Sequence, residues 1–148
     1  MPANSDPIWT KNGKVSSVLV TAANTSSQGG GTIGTDIFLV GTADATNGSF
    51  AQRVRFIPTG TAATTTTGTV GRVFLSTQAS GATTSANTYL WQEITLPAVG
   101  ADNASAQANF FDVMLNIPLP ASMSVLATNH AAPAANTAWR AILIFGDY

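Results

Sequence analysis

The chain breaks into short runs in which apolar and polar residues alternate, each run stopped by a cluster of Gly, Pro, Asn or Ser. No window keeps apolar residues at i, i+3, i+4 and i+7 for three turns. Alternation by two sends successive side chains to opposite faces of an extended strand, so the pattern predicts an all-β protein with almost no helix. Eight segments qualify as strands: 15–22, 33–41, 50–57, 70–76, 88–96, 107–115, 122–128 and 137–145. In the third, Phe50, Gln52, Val54 and Phe56 are expected on one face and Arg53 and Arg55 on the other. In the fifth, Leu90, Gln92, Ile94 and Leu96 alternate with Tyr89, Trp91 and Glu93, and Pro97 ends the run because it cannot donate to a ladder.

The punctuation is equally informative. Asn47-Gly48 between apolar runs is a hairpin signal. The polar run 24–31 reads as a flexible loop. Its continuation Gly29-Gly30-Gly31-Thr32-Ile33-Gly34 has no following Lys-Ser/Thr and leads into a strand, which makes it a linker and not a phosphate loop. Residues 58–68 form a second long loop, 77–87 a turn-rich connection, and Pro118 and Pro120 mark the turn before the seventh strand. Eight strands without helices or a repeat period suit a single-domain antiparallel sandwich, jelly-roll-like, over residues 15–148, preceded by an N-terminal arm, 1–14. A closed eight-stranded barrel is the nearest competitor. An immunoglobulin-like sandwich lacks its Cys and Trp pattern here.

Charge is scarce: 9% of residues are charged, against roughly 25% in ordinary soluble domains. With 148 residues, 45% of them apolar, the chain can build a core without staples, and zero Cys removes thiol chemistry and Cys-based zinc sites. His130 is the one imidazole, and no Gly-x-Ser-x-Gly elbow accompanies it. Asp6, Asp44 and Asp102 fall in loops, where Asp stabilises turns. Asp36, Glu93 and Asp112 fall in strands as outward polar residues, and no pair has the marks of an acid/base couple. We therefore expect no catalytic residue, no metal ligand and no cofactor.

A net charge of −1 without a basic cluster speaks against a nucleic-acid partner. The first residues lack the basic and apolar segments of a secretion signal. The apolar run 141–145 falls far short of the roughly 20 residues that span a bilayer, so a soluble protein without a membrane partner is expected. A near-neutral surface also lets copies crowd together with little repulsion. The candidate contact residues are Arg53, Arg55 and Arg72, which either pair with carboxylates across strands or meet an acidic partner. Ile8 and Trp9 in the arm either fold back over the core or plug into a neighbour.

The segments Asp36-Ile37-Phe38-Leu39-Val40, 42–50, Arg53-Val54-Arg55-Phe56, Arg72-Val73-Phe74, 93–98, Leu119-Pro120-Ala121 and Gly146-Asp147-Tyr148 resemble small virion proteins of tailed bacteriophages. The resemblance runs from about residue 14 to the end and rests on strand and turn signatures. It implies an all-β capsid decoration or cement protein on the exterior of the virion, bound to the major capsid protein and to its own copies, with a trimer expected. It supplies no catalytic residues. The other readings are a carbohydrate-binding or host-adsorption module of a fibre, for which Tyr89 and Trp91 could stack on a sugar, and a small hydrolase built on His130.

Overall fold

The computed structural model describes residues 10–60, 64–101 and 109–148. Its strands are β1 (Asn12–Val20), β2 (Gly31–Thr32), β3 (Phe38–Thr42), β4 (Ser49–Gly60), β5 (Thr69–Ser76), β6 (Ala82–Thr83), β7 (Thr88–Leu96), β8 (Phe111–Leu119), β9 (Ser124–Asn129) and β10 (Thr137–Asp147). There is no helix among the described residues. Eight long strands form two four-stranded antiparallel sheets, ordered β1-β10-β4-β8 and β3-β9-β5-β7, while the two-residue β2 and β6 pair separately.

Pairing follows one rule. Among the long strands, the first pairs with the last, the second with the second-last, the third with the sixth and the fourth with the fifth. A long double ribbon rolled on itself gives this order, with β4–β10 and β5–β9 joining the turns of the roll. The sandwich is thus a jelly roll. Separate sheets also dispose of the closed barrel.

The core lies between the sheets. Val54, Phe56, Val113, Trp139, Ala141 and Leu143 from one sheet meet Phe38, Val40, Val73, Val125 and Ala127 from the other, all of them buried. Trp139 stacks edge-on against Phe111 with ring centroids 5.8 Å apart. At one side of the sandwich the Ser16 hydroxyl donates to the Val40 carbonyl, tying β1 to β3. At the other, Trp91 Nε1 donates to the Met114 carbonyl at 3.1 Å and ties β7 to β8.

Several expectations change. Gln52 is a β-bulge: Ala51 faces Phe145 and Arg53 faces Ile144, leaving Gln52 extra. The bulge reverses the parity of the strand, so Ala51, Val54 and Phe56 point to the core while Phe50 and Gln52 stand outside it, near Arg53. Phe50 was expected beside Val54 and Phe56. The Asn47-Gly48 turn does not make a hairpin either, because β3 and β4 belong to different sheets. Asp44 Oδ1 accepts the amides of Thr46 and Asn47 at 2.9 and 2.8 Å and shapes a crossing between the sheets. Gly48 has φ +76° there, and a Cβ on it would strike the Leu119 carbonyl oxygen.

Strand ends shift for similar reasons. β4 continues through Pro58 to Gly60, which is tolerated because β8 ends its pairing at Phe56 and leaves Pro58 without a ladder partner on that side. β8 runs through Pro118 because it is an edge strand. β1 begins at Asn12, so residues 12–14, expected in the arm, belong to the sheet.

The run 24–31 is not a flexible linker. Asn24 Oδ1 accepts the Ser26 amide at 2.8 Å, Asn24 Nδ2 donates to the Gly30 carbonyl at 3.0 Å, and Ser26 Oγ accepts the Gly30 amide at 3.1 Å. Gly31 and Thr32 then pair with β6, and Asp36 Oδ1 accepts the Thr32 amide at 2.7 Å. The turn at 33–37 lays Ile33 and Ile37 over the outer face of β3-β9-β5-β7. There Ile37, Phe74 and Leu126 form a second, fully buried cluster with Ile33 and Leu39 packed against it. One outer sheet face is therefore capped by the chain itself.

Candidate functional site

No cap lies over the other sheet among the described residues. On β10 the core takes Trp139, Ala141, Leu143 and Phe145, which turns Arg140, Ile142 and Ile144 outward. Strand pairing sets three rows across this face: Val15–Ile144–Arg53–Met114, Ser17–Ile142–Arg55–Asp112 and Leu19–Arg140–Ile57. Val15 is 71% exposed, Met114 46% and Leu19 38%, with Phe110 at 55% beside Arg55. A solvated sheet face normally carries polar residues at these positions. Here apolar side chains fill most of them, and the bulge adds Phe50 and Gln52 beside a shallow depression lined also by Thr10 and Ile144.

The cations on this face are unequally satisfied. Arg55 forms a two-pronged pair with Asp112, Nε to Oδ1 at 2.7 Å and Nη2 to Oδ2 at 2.8 Å, with its guanidinium 4.1 Å from the Phe110 ring centre. The pair is the cross-strand partnership that the sequence offered as one reading of Arg55. The Arg55 hydrogen bonds hold the Asp112 carboxyl below the usual carboxylate range, and the same bonds raise Arg55. Arg53 reaches the same carboxylate with Nη1 at 3.5 Å. One anion thus serves two cations. Arg140 donates to the neutral Ser17 hydroxyl at 3.3 Å. Sequence reading passed over Arg140, although its signal was the same as that of Arg53 and Arg55: a cation at an outward position between core residues.

Arg72 does not join them. It lies in the opposite sheet, only 6% exposed, with Nε 2.6 Å from Glu93 Oε1, Nη1 donating to the Asn24 carbonyl at 3.1 Å and Nη2 3.2 Å from His130 Nδ1. Its guanidinium pins the start of the capping segment and the β9–β10 connection to β5, so it offers no surface to a partner. The arginines proposed as a group are split between two sheets. Ile8 and Trp9 lie outside the described residues.

Other polar groups hold turns and strand ends. Asp36 and Asp44 clip turns, and the Asn47 and Thr46 amides hold the Asp44 carboxyl below its usual range. Asp147 accepts from Ser49 Oγ at 2.6 Å and pairs with Lys14. No group of three or more His, Cys, Asp or Glu that could hold a metal occurs among the described residues. Tyr89 and Trp91, half-exposed on the edge strand β7, send their polar atoms to the Ala86 and Met114 carbonyls. The outer face of β1-β10-β4-β8, bare among the described residues, is a feature that these contacts leave unexplained. The chain matches no protein-family model, no curated protein and no solved structure.

Proposed function

We propose that the protein is a structural component of a bacteriophage virion, a decoration or cement protein that binds the outside of the head through the major capsid protein and stabilises it as a homo-oligomer, a trimer. The observation that carries this reading is the uncovered apolar face of β1-β10-β4-β8, set on a jelly roll whose other face is capped by its own chain. Exposing a face of this kind to water raises the free energy, and burying it on docking lowers it. The scarcity of charge supports the same reading, since close-packed copies meet little mutual repulsion. So does the resemblance of the strand and turn segments to small phage virion proteins.

Stabilisation then follows from mass action. A ligand that binds only the assembled shell adds RT ln(1 + [L]/Kd) to its stability, about 2.7 kcal/mol at a hundredfold excess over Kd. The test is to add purified protein to heads assembled without it and image the particles. Density on the outer shell and a higher temperature of head rupture are expected. Heads that stay bare, or protein found on the tail alone, would refute the assignment. Deleting residues 1–9 in the same assay measures what Ile8 and Trp9 contribute.

A further inference from the structure

We infer that the outer face of β1-β10-β4-β8 is the docking face, and that its occupant is a different protein presenting an apolar centre flanked by carboxylates. The inference rests on the decoration reading and names the chemistry of the surface it would meet. It starts from the distribution of charge. The chain has six basic and seven acidic residues, yet among the described residues this face holds Arg53, Arg55 and Arg140 with Asp112 as its one carboxylate. Three cations less one anion leave +2 on the face. The other described residues, with Lys11, Lys14 and Arg72 against Asp36, Asp44, Glu93 and Asp147, carry −1. Among the described residues, one sheet face of a chain with net charge −1 is thus distinctly positive.

Position sharpens the requirement. Asp112 neutralises one charge of the Arg53–Arg55 pair, and Arg140 has a neutral partner, so the surplus centres on Arg53 and Arg140. Arg53 faces Ile144 on the neighbouring strand, and Arg140 lies four residues along from Ile144. At about 3.4 Å per residue and about 4.8 Å between strands, their backbones stand about 14 Å apart. Ile142 and Ile144 fill the ground between them, with Val15 and Leu19 along the β1 side. A matching surface places two carboxylates at that spacing around an apolar contact, where exclusion of water strengthens the ion pairs.

The same layout argues against the other occupants. A second copy docking face to face sets +2 against +2, a like-charge juxtaposition that disfavours the pairing. A nucleic acid would meet two surplus cations separated by isoleucines in place of the continuous basic track that phosphates need.

The experiment combines binding to heads assembled without the protein with hydroxyl-radical footprinting of Met114 and Phe110, read by mass spectrometry. The variants are R53Q/R140Q, the harsher R53E/R140E, and S80E in the exposed connection between β5 and β6 as a control away from the face, each first shown to melt like the wild type. Expected results are oxidation of Met114 and Phe110 in the free protein and their protection on heads. Wild-type affinity should fall as salt rises from 50 to 500 mM, R53Q/R140Q should lose at least tenfold, R53E/R140E should lose more, and S80E should bind like the wild type.

Wild type that leaves heads bare overturns the decoration reading itself. Wild type that binds while Met114 stays open to oxidation, or while both double variants bind undiminished, overturns the docking face alone. Protection that grows with protein concentration in free solution identifies a second copy as the occupant. Protection in the free protein that is lost on deleting residues 1–9 identifies the chain's own start, and binding abolished by nuclease identifies nucleic acid. Each of these also overturns the inference.

Discussion

Phe74→Ala tests whether the capping segment is a genuine second core. Phe74 is fully buried although it points away from the main core, between its strand neighbours Leu126 and Leu90. Its burial depends on Ile33 and Ile37 lying over it, and those residues are held by the Thr32–Asp36 clip and the Gly34–Ile37 turn. If the cap is as tightly packed as it looks, removing the ring costs about 3–5 kcal/mol, the range for truncating a buried Phe. For a chain of this size each kcal/mol lowers the melting temperature by about 2–4 °C, so a fall of about 6–20 °C is expected. Leu143→Ala, in the core between the sheets, should cost a comparable 2–5 kcal/mol. Leu90→Ala provides the contrast. It sits at the open end of the same cross-strand row, 40% exposed and beyond the cap, and should cost less than about 1 kcal/mol. Urea denaturation gives the energies, and hydrogen exchange locates the damage, since the Ile33 and Gly34 amides should lose protection before those of β5 and β9. A Phe74→Ala cost no larger than that of Leu90→Ala would show that the cap opens freely and that both outer faces are bare, which removes the asymmetry on which the functional reading rests.

Three further outcomes are expected. Arg55 depresses the Asp112 pKa, so the unfolded chain binds a proton more readily than the folded one, and the pair's contribution, full above the ordinary carboxylate pKa near 4, is lost as pH falls through the lower folded value. Carboxyl-carbon shifts should therefore titrate below the usual Asp midpoint, and D112N should flatten the acid limb of stability against pH; an ordinary midpoint would contradict the pairing. Gly48→Ala forces a side chain into left-handed backbone and against the Leu119 carbonyl, and a loss of at least about 1–3 kcal/mol in thermal denaturation is expected. Arg72→Met should cost about 1.5–3 kcal/mol through its charge-assisted bonds to Glu93 and Asn24, while head binding measured on the folded protein stays unchanged because Arg72 presents no outer surface.

What the sequence disclosed divides along physical lines. The eight long strands and the lack of helix among the described residues follow from local alternation, and β7 keeps the bounds its pattern implied, because Thr88 opens it and Pro97 stops it. The bulge at Gln52 was hidden, since Phe50, Gln52, Val54 and Phe56 preserve an unbroken alternation that only the register with Ile144 and Phe145 contradicts. Residues 24–31 looked loose because Ser and Gly dominate them; their order comes from Asn24 and Ser26 side chains bonding nearby backbone, a signal the residue types contain and composition averages away. Arg55 illustrates a contact that pattern can suggest, whereas the fate of Arg72 required knowing that the fourth long strand enters the opposite sheet beside Asn24 and His130.

The scarcity of charge then takes on a specific meaning. Asp36 and Asp44 close turns, Glu93 holds Arg72, and Asp147 holds Lys14 and Ser49, so six of the eleven described charges are consumed in keeping loops and strands in place. Charges fixed in this way give little long-range field, and neighbours on a crowded surface can approach without an electrostatic barrier. Orientation must then come from the few charges left in surplus. Arg53 and Arg140 occupy the sheet face that no described segment covers, with Ile142 and Ile144 between them. Apolar area without charge would let that face slide or stick to any greasy patch, and charge without apolar area would be weak at physiological salt. On the proposed reading, the two together tie affinity to one orientation, which is what a protein repeated across a regular shell requires.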